Sequence, residues 1–389
     1  MLTWGLHDPI PVEIHMTKEK QSRRGFLTTG ATAGAASFIS TGHEAAAETT
    51  DTTQKKIKVG VMGVGRGSFM SYSWADMIAA TIPKPEGSSH VNFGTKFLNM
   101  EITHVWDQSK EAAHKFADPL GVTVVDRYDG MIGKVDALLQ AGFNEVPWQH
   151  KLAKPYLEAG IPAYLSRPFA YSLRAIDEVL ETAAKNNTPL MATDMGEHFY
   201  EIEPFKERMT GIGRINCAHG TVWARDFPMH FHLQFTMLRI FGYNVEEVAL
   251  LTDRVMRNTY LQETYIFKGW EDQPAFPCAI HGAPGRDFYS ITINGADETL
   301  HTERMFTPKW RDELLFNQSS QIIEMQRTFE GEQFQPYDII RKKTEIFLTG
   351  FYSTVERGGA PVKVGTVPVD WEAPTSQPGW IDESMFKKS

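Results

Sequence analysis

Residues 57–68 read Ile-Lys-Val-Gly-Val-Met-Gly-Val-Gly-Arg-Gly-Ser, and this stretch decides the fold class of the chain. Its first half, 57–62, is a short apolar run rich in β-forming residues, and its second half, 63–68, is a glycine-rich turn. A strand that leads directly into such a turn and then into a helix is the context of a dinucleotide-binding fingerprint. Gly63 permits the tight turn, and Gly65 lets the backbone approach a pyrophosphate without an intervening Cβ atom. The stretch therefore predicts a nucleotide-binding βα unit.

The match to the Gly-x-Gly-x-x-Gly pattern is imperfect. Its third glycine falls at Ser68, while Gly67 comes one position early. Glycine-rich turns also serve ordinary strand–helix connections, so that interpretation stays open as the alternative. On the binding interpretation, the N-terminus of the following helix directs its unpaired N–H groups at the pyrophosphate. The turn residues predicted to bind the cofactor are Gly63, Gly65, Arg66, Gly67 and Ser68.

A second predicted strand, 101–106, ends at Asp107. A carboxylate at that place accepts hydrogen bonds from the ribose hydroxyls of NAD and repels the 2′-phosphate of NADP. Asp107 lies 44 positions after Gly63, where about 20 are usual, and we attribute the excess to an insertion around 82–99. NAD is therefore the predicted cofactor. NADP stays possible because two neighbouring side chains could hold its extra phosphate, those of Ser109 and Lys110.

Strands and helices alternate through the rest of the first half of the chain. Further strands are predicted at 122–125, 136–141, 163–166 and 190–193, and helices at 148–159 and 172–185. Six strands with intervening helices indicate a doubly wound parallel sheet of the Rossmann type. Later runs at 215–223, 248–252 and 288–293 are typical of antiparallel strands, with helices predicted at 230–241, 318–329 and 337–356. The predicted fold is thus α/β, with an N-terminal Rossmann domain and a C-terminal α+β domain that carries an open, mainly antiparallel sheet.

The composition excludes several classes of function. The 389 residues are 42% hydrophobic and 22% charged, which is typical of a globular protein and not of a disordered one. The net charge of −9 gives no support to a nucleic-acid partner or an anionic membrane surface. Two cysteines supply neither a disulfide framework nor a structural zinc site, and no metal is predicted.

The first 47 residues are predicted to be a removable export signal. Ser22-Arg23-Arg24-Gly25-Phe26-Leu27 has the residue order of a twin-arginine signal, and it is followed by a mildly apolar stretch to Gly42 and by small residues at 45–47. The apolar stretch is too short and too polar to span a bilayer, so no membrane span is predicted. The twin-arginine route exports folded proteins, which predicts a periplasmic or secreted location. Met16 is an alternative start to Met1, and a leader with two chance arginines is the alternative to a signal.

From residue 56 to 365 the chain resembles the glucose–fructose oxidoreductase, inositol dehydrogenase and MocA family (Gfo/Idh/MocA). The resemblance rests on the order of the motifs, which are the glycine turn, the acid after the second strand, Asp136-Ala137-Leu138-Leu139 leading towards His150, Leu157-Glu158-Ala159-Gly160-Ile161-Pro162, and a strand that ends in Ser166-Arg167-Pro168. It implies a nicotinamide-dependent reaction on a sugar or polyol, with the open sheet of the second domain facing the cofactor. It also implies that copies of the chain pair through that sheet as a dimer or tetramer.

Two departures from the family pattern affect the predicted catalytic residues. Family members carry Glu-Lys-Pro where this chain has Ser166-Arg167-Pro168, and an arginine is not a general base because it stays protonated. Arg167 can still orient a hydroxyl and stabilise a developing alkoxide. Counting back from Gly242, His232 falls on the histidine of a family His-x-x-Asp motif, but Phe235 stands in the place of the acid. His232 is therefore the predicted proton carrier.

Further residues are candidates for the site. His198 follows the sixth strand, where the cleft between the domains is expected to open, and a structural cap is its alternative role. His230 would turn inward only at a frayed start of its helix. For both His230 and His232, the alternative is a surface position at the N-terminus of that helix. A His-x-His metal site is not predicted because no further ligands lie nearby in the sequence. The resemblance implies that the nicotinamide side of the cofactor contacts Asn144, Trp148, His150, Arg167 and Pro168.

These predictions divide the chain into a signal (1–47), a polar tether (48–56), a Rossmann domain (57–194), a substrate and oligomerisation domain (195–375) and a C-terminal tail (376–389). An exported dehydrogenase meets no free NAD pool, so three functions stay open. A tightly held cofactor could be regenerated by a second substrate. It could instead be restored within one redox-neutral cleavage of a glycoside, or the chain could bind carbohydrate without catalysis. We favour NAD-dependent redox chemistry on a sugar, polyol or glycoside, with His232 as acid/base and Arg167 orienting the reacting oxygen.

Overall fold

Two β-sheets, one parallel and one mainly antiparallel, form the framework of the protein. The computed structural model describes residues 55–65, 99–140, 142, 144–199, 201–223, 230–252, 260–283, 289–302, 319–375 and 379–386. The predicted export signal lies outside these residues, as do Arg66, Gly67 and Ser68 of the glycine turn. The described residues all belong to one compact unit, Gln54–Ser389. None of the helices they form is long and apolar enough to cross a membrane.

The first sheet contains six strands, all parallel, in the order β3-β2-β1-β4-β5-β6. The strands are β1 (Ile57–Met62), β2 (Met100–Trp106), β3 (Thr123–Val124), β4 (Ala137–Gln140), β5 (Ala163–Leu165) and β6 (Leu190–Ala192). Every residue of β4, β5 and β6 is buried, as expected for strands covered on both faces. The strand order reverses between β1 and β4, and ligands of such sheets bind beside that point, at the carboxyl ends of the strands. The doubly wound parallel sheet predicted from the sequence is confirmed.

Three described helices connect these strands, α1 (Lys110–Ala117), α2 (Gln149–Glu158) and α3 (Leu173–Lys185). The side chain of Ser109 accepts a hydrogen bond from the N–H of Ala112 at the start of α1. The side chain of Ser172 accepts a hydrogen bond from the N–H of Ala175 and so begins α3, as the sequence predicts. The buried residues of α3 recur at helical spacing and include Leu173, Ile176, Val179, Leu180 and Ala183.

The second sheet contains seven strands in the order β12-β11-β7-β10-β9-β8-β13. They are β7 (Ile215–Trp223), β8 (Val245–Thr252), β9 (Leu261–Phe267), β10 (Phe276–Ala283), β11 (Tyr289–Gly295), β12 (Thr299–His301) and β13 (Val362–Lys363). All neighbouring strands are antiparallel except β7 and β10, which are parallel. Burial alternates along β9 and β10, so one face of the sheet packs on the core while the other is more exposed. The mainly antiparallel second sheet is also confirmed.

Four described helices accompany the second sheet, α4 (Ile202–Met209), α5 (Phe231–Phe241), α6 (Ser319–Phe329) and α7 (Tyr337–Arg357). The helix predictions at 230–241, 318–329 and 337–356 agree with α5, α6 and α7 to within a residue at each end. The long helix α7 packs against β8, α5 and α3. It therefore connects the second sheet with the Rossmann half and carries side chains to the boundary between them.

The end of the chain packs against the Rossmann half. We call residues 379–386 the C-terminal segment. Within it, Ile381 is buried, and Oε1 of Glu383 accepts a hydrogen bond of 2.9 Å from Nε1 of Trp148. The ring of Phe386 lies edge-on to Tyr128, with centroids 5.2 Å apart. Much of the predicted tail is thus packed structure beside the first sheet.

Candidate active site

Asp194 is the centre of a buried cluster at the carboxyl ends of β5 and β6. Its Oδ2 atom lies 2.8 Å from Nδ1 of His232 and 3.2 Å from Nε of Arg167. All three side chains are almost completely buried. The structure thus brings together two residues predicted from the sequence, His232 and Arg167, through an acid that the sequence analysis did not single out.

The 3₁₀ turn Met195–His198 fixes the position of Asp194. The N–H of Gly196 donates to Oδ1 of Asp194 at 2.7 Å, and the N–H of Asp194 donates to Oε2 of Glu197 at 2.8 Å. These bonds form a capping box at the start of the turn. A Cβ atom on Gly196 would lie 2.3 Å from the backbone oxygen of His232. The absence of a side chain at this position therefore allows the first turn of α5, with His232, to reach the acid.

The protonation states in the cluster follow from burial and from the contacts of its members. Burial alone would raise the pKa of Asp194, but His232 and Arg167 together hold that pKa below its usual value. Burial also lowers the pKa of His232, and Asp194 only partly offsets this. An anionic Asp194 beside a neutral imidazole accepts the Nδ1–H of His232. The lone pair of the histidine is then on Nε2, the arrangement that a general base requires.

Arg167 is held on the other side of Asp194. Its Nη1 donates a hydrogen bond of 2.9 Å to Oγ of Ser166, and its guanidinium carbon lies 5.9 Å from the centre of the Phe231 ring. A guanidinium that is fixed by a carboxylate and a hydroxyl supplies a permanent positive charge, which suits the orienting role predicted for it.

A second buried ion pair supports the turn that carries Asp194. Nζ of Lys343, on α7, lies 2.8 Å from Oε2 and 2.9 Å from Oε1 of Glu197. The same ammonium lies 4.7 Å from the ring centre of Phe169 and 5.8 Å from that of Phe235. Burial lowers the pKa of Lys343 and raises that of Glu197, while their mutual contact opposes both shifts. Phe235, which replaces the expected acid on α5, thus packs under a lysine that comes from α7.

His230 belongs to a different buried cluster. Its Nε2 lies 3.3 Å from Oε2 of Glu263 on β9, and Nε2 of Gln234 donates to Oε1 of the same carboxylate at 3.2 Å. The hydroxyl of Tyr265 also donates to Glu263. His230 and His232 are both about 1% exposed, so the alternative that placed them at the surface is wrong. A glutamate on a distant strand gives His230 a buried partner that the local sequence does not show.

The other two predicted histidines have strongly lowered pKa values. Nδ1 of His198 is 3.6 Å from Oε2 of Glu324 on α6, and burial lowers the pKa of His198 to about 3. His150 lies in the first turn of α2, and burial lowers its pKa to about 4. No group of three or more His, Cys, Asp or Glu residues in the described part of the chain is arranged to hold a metal ion.

Gly63 and Gly142 lie against each other at the ends of β1 and β4, and we call the region beside these two strand ends the crevice. Gly63 has a positive φ of 81°, and a Cβ atom on it would lie 2.7 Å from Cα of Gly142. A residue other than glycine at position 63 would therefore be strained and would clash with the backbone of Gly142. This geometry fits the close approach of a pyrophosphate to the first glycine of the fingerprint.

Asp107 accepts backbone hydrogen bonds from the turn that it faces. Its Oδ2 accepts from the N–H groups of Val64 at 2.6 Å and Gly65 at 2.7 Å, and its Oδ1 accepts from Ser109 at 2.7 Å. A carboxylate has about four acceptor positions, so one remains on Oδ1 for a ribose hydroxyl. Nζ of Lys110 is bonded to Oδ1 of Asp126 at 2.8 Å, and Ser109 caps α1. The two side chains that could hold a 2′-phosphate, those of Ser109 and Lys110, therefore already have hydrogen-bond partners within the protein.

Buried amide groups line the loop that follows β4. Among the described residues, the side-chain amides of Gln140 and Gln149 and Nδ2 of Asn144 are buried without a hydrogen-bond partner from the protein. Buried polar atoms of this kind are usually paired, so a polar ligand in this region fits the residues present. Asn144 is a predicted cofactor contact. Nε1 of Trp148, another predicted contact, donates a hydrogen bond to Glu383 in the C-terminal segment.

The fold and this site define a nucleotide-binding α/β protein with a buried acid–histidine–arginine cluster beside the nucleotide crevice. Residues 57–193 match the oxidoreductase family GFO_IDH_MocA, whose NAD-binding domain has the Rossmann fold. This part of the chain therefore matches the NAD-binding domain of the Gfo/Idh/MocA oxidoreductases. The resemblance predicted from the sequence is confirmed for residues 57–193, and so is NAD as the cofactor that the matched domain binds.

Solved structures of several dehydrogenases share the fold. A scyllo-inositol dehydrogenase from Lactobacillus casei, with bound NAD(H) and scyllo-inositol, is 13% identical, covers 80% of this chain and 99% of its own, and superposes with a TM-score of 0.59. A myo-inositol 2-dehydrogenase from Lactobacillus plantarum is 14% identical, with 80% and 100% covered and a TM-score of 0.59. A probable dehydrogenase from Thermotoga maritima is 14% identical, with 79% and 99% covered and a TM-score of 0.60. No curated protein matches the chain significantly.

Sequence reasoning missed Asp194, Glu197, Lys343 and Glu145. Asp194 has a local signal that was available, since it follows a buried strand at the carboxyl end of a parallel sheet, where ligands bind. Glu197 completes an Asp-x-x-Glu capping pattern that can also be found by inspection. Lys343 has no such signal, because its partner lies 146 positions away in the sequence.

Proposed function

We propose that the protein oxidises or reduces a hydroxyl-bearing carbon of a sugar, polyol or glycoside, with NAD as its cofactor. The observation that carries the proposal is the Asp194–His232–Arg167 cluster at the carboxyl end of an NAD-binding sheet. It supplies a neutral histidine with a fixed tautomer next to a permanent cation. Alcohol oxidation needs both, because a proton leaves the hydroxyl while negative charge develops on its oxygen.

The turn and loop residues described above hold the cofactor in this proposal. Gly63, Gly65 and Gly142 allow the close approach of the pyrophosphate, and Asp107 accepts one ribose hydrogen bond. Bound NAD supplies the acceptor for the hydride of the substrate carbon. NAD is favoured over NADP because the carboxylate of Asp107 would repel a 2′-phosphate on that ribose.

The chain's own residues manage the proton and the charge. His232 takes the hydroxyl proton at Nε2 while Asp194 holds Nδ1–H, which keeps the ring in one orientation and stabilises the cation that forms. Arg167 directs its guanidinium towards the developing alkoxide. In the reverse direction, the His232 imidazolium returns the proton to the oxygen.

The predicted export of the protein affects how its cofactor would be regenerated. The serine and two arginines at 22–24 support export of the folded protein, and no free nicotinamide pool is expected outside the cytoplasm. We therefore propose that the cofactor is retained through many turnovers and regenerated by a second substrate. The second candidate is a redox-neutral glycoside cleavage in which the cofactor is restored within each cycle, since one acid/base histidine beside a cation can serve both half-reactions.

The test uses mature protein loaded with NAD and a panel of polyols, free sugars and glycosides. We expect the near-ultraviolet absorbance of reduced nicotinamide to change with at least one substrate, and we expect His232→Ala to lose roughly 10²-fold or more in rate. His301→Ala is the matched control, because His301 is an exposed histidine on β12. A net oxidised product supports the favoured function, and a released aglycone without net redox change supports the second candidate. Carbohydrate binding without either product would leave a binding protein and refute both.

A further inference from the structure

The C-terminal segment reaches the part of the cofactor crevice that the glycine turn forms. We propose that Glu145 and Trp380 compete with the dinucleotide for this crevice, so that these two residues set the affinity of the protein for its cofactor. The proposal rests on the proposed cofactor role of the crevice between β1 and β4.

Glu145 places its carboxylate inside the crevice. A Cβ atom on Gly63 would lie 2.8 Å from Oε2 of Glu145, and one on Gly142 would lie 1.9 Å from it. The carboxylate therefore sits in the gap that the two glycines leave open. Glu145 is about 1% exposed, and its Oε2 has no hydrogen-bond partner among the described residues. A carboxylate and a pyrophosphate, both acidic, do not share such a gap favourably because like charges repel strongly in a buried site.

Trp380 holds that carboxylate in place and lies beside Gly65. Its Nε1 donates a hydrogen bond of 2.9 Å to Oε1 of Glu145. Its ring atom Cζ2 lies 3.7 Å from the position of a Cβ atom on Gly65, on the same side as Oδ2 of Asp107 at 3.3 Å. The indole ring thus lies beside Gly65, the second glycine of the fingerprint, where the backbone is expected to approach a pyrophosphate.

The rest of the C-terminal segment is anchored next to the crevice. Glu383 contacts Nε1 of Trp148 at 2.9 Å and Nζ of Lys151 at 2.7 Å, and Phe386 packs on Tyr128. These anchors keep Trp380 at a high local concentration beside Gly65. A dinucleotide must displace the Trp380–Glu145 contact, so its apparent affinity is reduced by the fraction of molecules in which that contact is closed.

The experiment measures NADH binding by its fluorescence in the mature full chain, in Trp380→Ala, in Trp380→Phe and in a chain that ends at Thr375. Breaking one hydrogen bond to a charged group corresponds to about a tenfold change in binding or more. We therefore expect Trp380→Ala and the shortened chain to bind NADH about tenfold more tightly than the full chain. Trp380→Phe keeps an aromatic ring but loses the N–H donor, so its affinity for NADH should lie between that of the full chain and that of Trp380→Ala. Trp371→Ala is the matched control, because Nε1 of Trp371 donates to Oε1 of Glu356 at 2.9 Å in a pair of the same kind, away from the crevice.

Hydrogen exchange gives a second readout that needs no variant. If NADH displaces the contact, the backbone amides of 379–386 should exchange faster in the full chain when NADH is bound. The proposal would be overturned if Trp380→Ala and the shortened chain bind NADH no more tightly than the full chain. It would also be overturned if the amides of 379–386 exchange more slowly when NADH is bound. In the first case the segment would not affect cofactor binding, and in the second it would form part of the binding site.

The outcome is separable from that of the proposed function. Tighter NADH binding by the variants supports the competition even if no sugar is oxidised. Oxidation of a sugar with identical NADH binding in all chains supports the function and refutes the competition. If none of the chains binds NADH, both proposals fail.

Discussion

Replacing Glu145 with glutamine removes a buried acid without changing its shape. The side chain is about 1% exposed, and its Oε1 accepts a hydrogen bond from Nε1 of Trp380. Glutamine keeps an acceptor at that position. Glu145→Gln therefore isolates the effect of the charge on the free energy of unfolding.

The size of this effect follows from the pKa of Glu145. Burial, together with the nearby Asp107, raises that pKa from 4.5 to about 7. Each pKa unit corresponds to about 1.4 kcal/mol, so the ionised carboxylate costs the folded state roughly 3 kcal/mol. The pKa of Glu145 is higher in the folded chain than in the unfolded chain. The contribution of its carboxyl group to folding stability is therefore fully present below the unfolded pKa, and it is lost as the pH rises through the folded pKa. Glutamine does not titrate, so Glu145→Gln should be close to wild type near pH ~5 and more stable by roughly 3 kcal/mol near pH ~8.

The assay is urea unfolding of the chain from residue 48 onwards at several pH values between about 5 and about 8, followed by circular dichroism. Glu356→Gln is the control, since Glu356 also accepts an indole N–H, from Trp371, but lies exposed on α7. A Glu145→Gln difference that is independent of pH, or that grows more destabilising as the pH rises, would contradict a raised pKa for Glu145 in the folded protein.

Two further predictions concern the buried cluster. Asp194→Asn should lower kcat/KM by roughly 10²-fold or more and move the acidic limb of its pH profile to lower pH, because Asp194 raises the pKa of His232 against the effect of burial; an unchanged profile would show that Asp194 does not act through the histidine. Lys343→Met should cost about 3–5 kcal/mol by leaving Glu197 unpaired in the core, and Lys343→Met with Glu197→Gln should cost less than the two single changes together. Urea unfolding of the four proteins in this cycle measures the coupling, and additive effects would contradict a functioning ion pair.

Elements defined by local patterns were predictable from the sequence. The apolar runs that are followed by a glycine turn or an acid form strands of the parallel sheet. Gly63 follows β1 in this way, and Asp107 follows β2. Ser172 indicated the start of α3, because a serine side chain at this position accepts a hydrogen bond from an N–H group that has no partner within the helix. The order of these elements was enough to identify the doubly wound sheet and its family.

The site was only partly predictable, because its contacts join distant parts of the chain. His232 meets an acid 38 positions away, while the motif pattern directed attention to position 235, three residues after it. The sequence allowed His230 to turn inward only at a frayed helix start, but Glu263 on β9 gives it a buried partner. Trp380 and Glu145 are 235 positions apart, and neither carries a local signal that relates it to the glycine turn.

The central claim is that His232, Asp194 and Arg167 perform redox chemistry on a hydroxyl group beside bound NAD. The most direct test follows the absorbance of nicotinamide in NAD-loaded mature protein after addition of a polyol or sugar, with the enzyme in excess of substrate. The claim predicts formation of reduced nicotinamide in the wild-type protein and its loss in His232→Ala, with His301→Ala unchanged. Reduction at equal rates in wild type and His232→Ala, or none in wild-type protein shown to contain NAD, would contradict it.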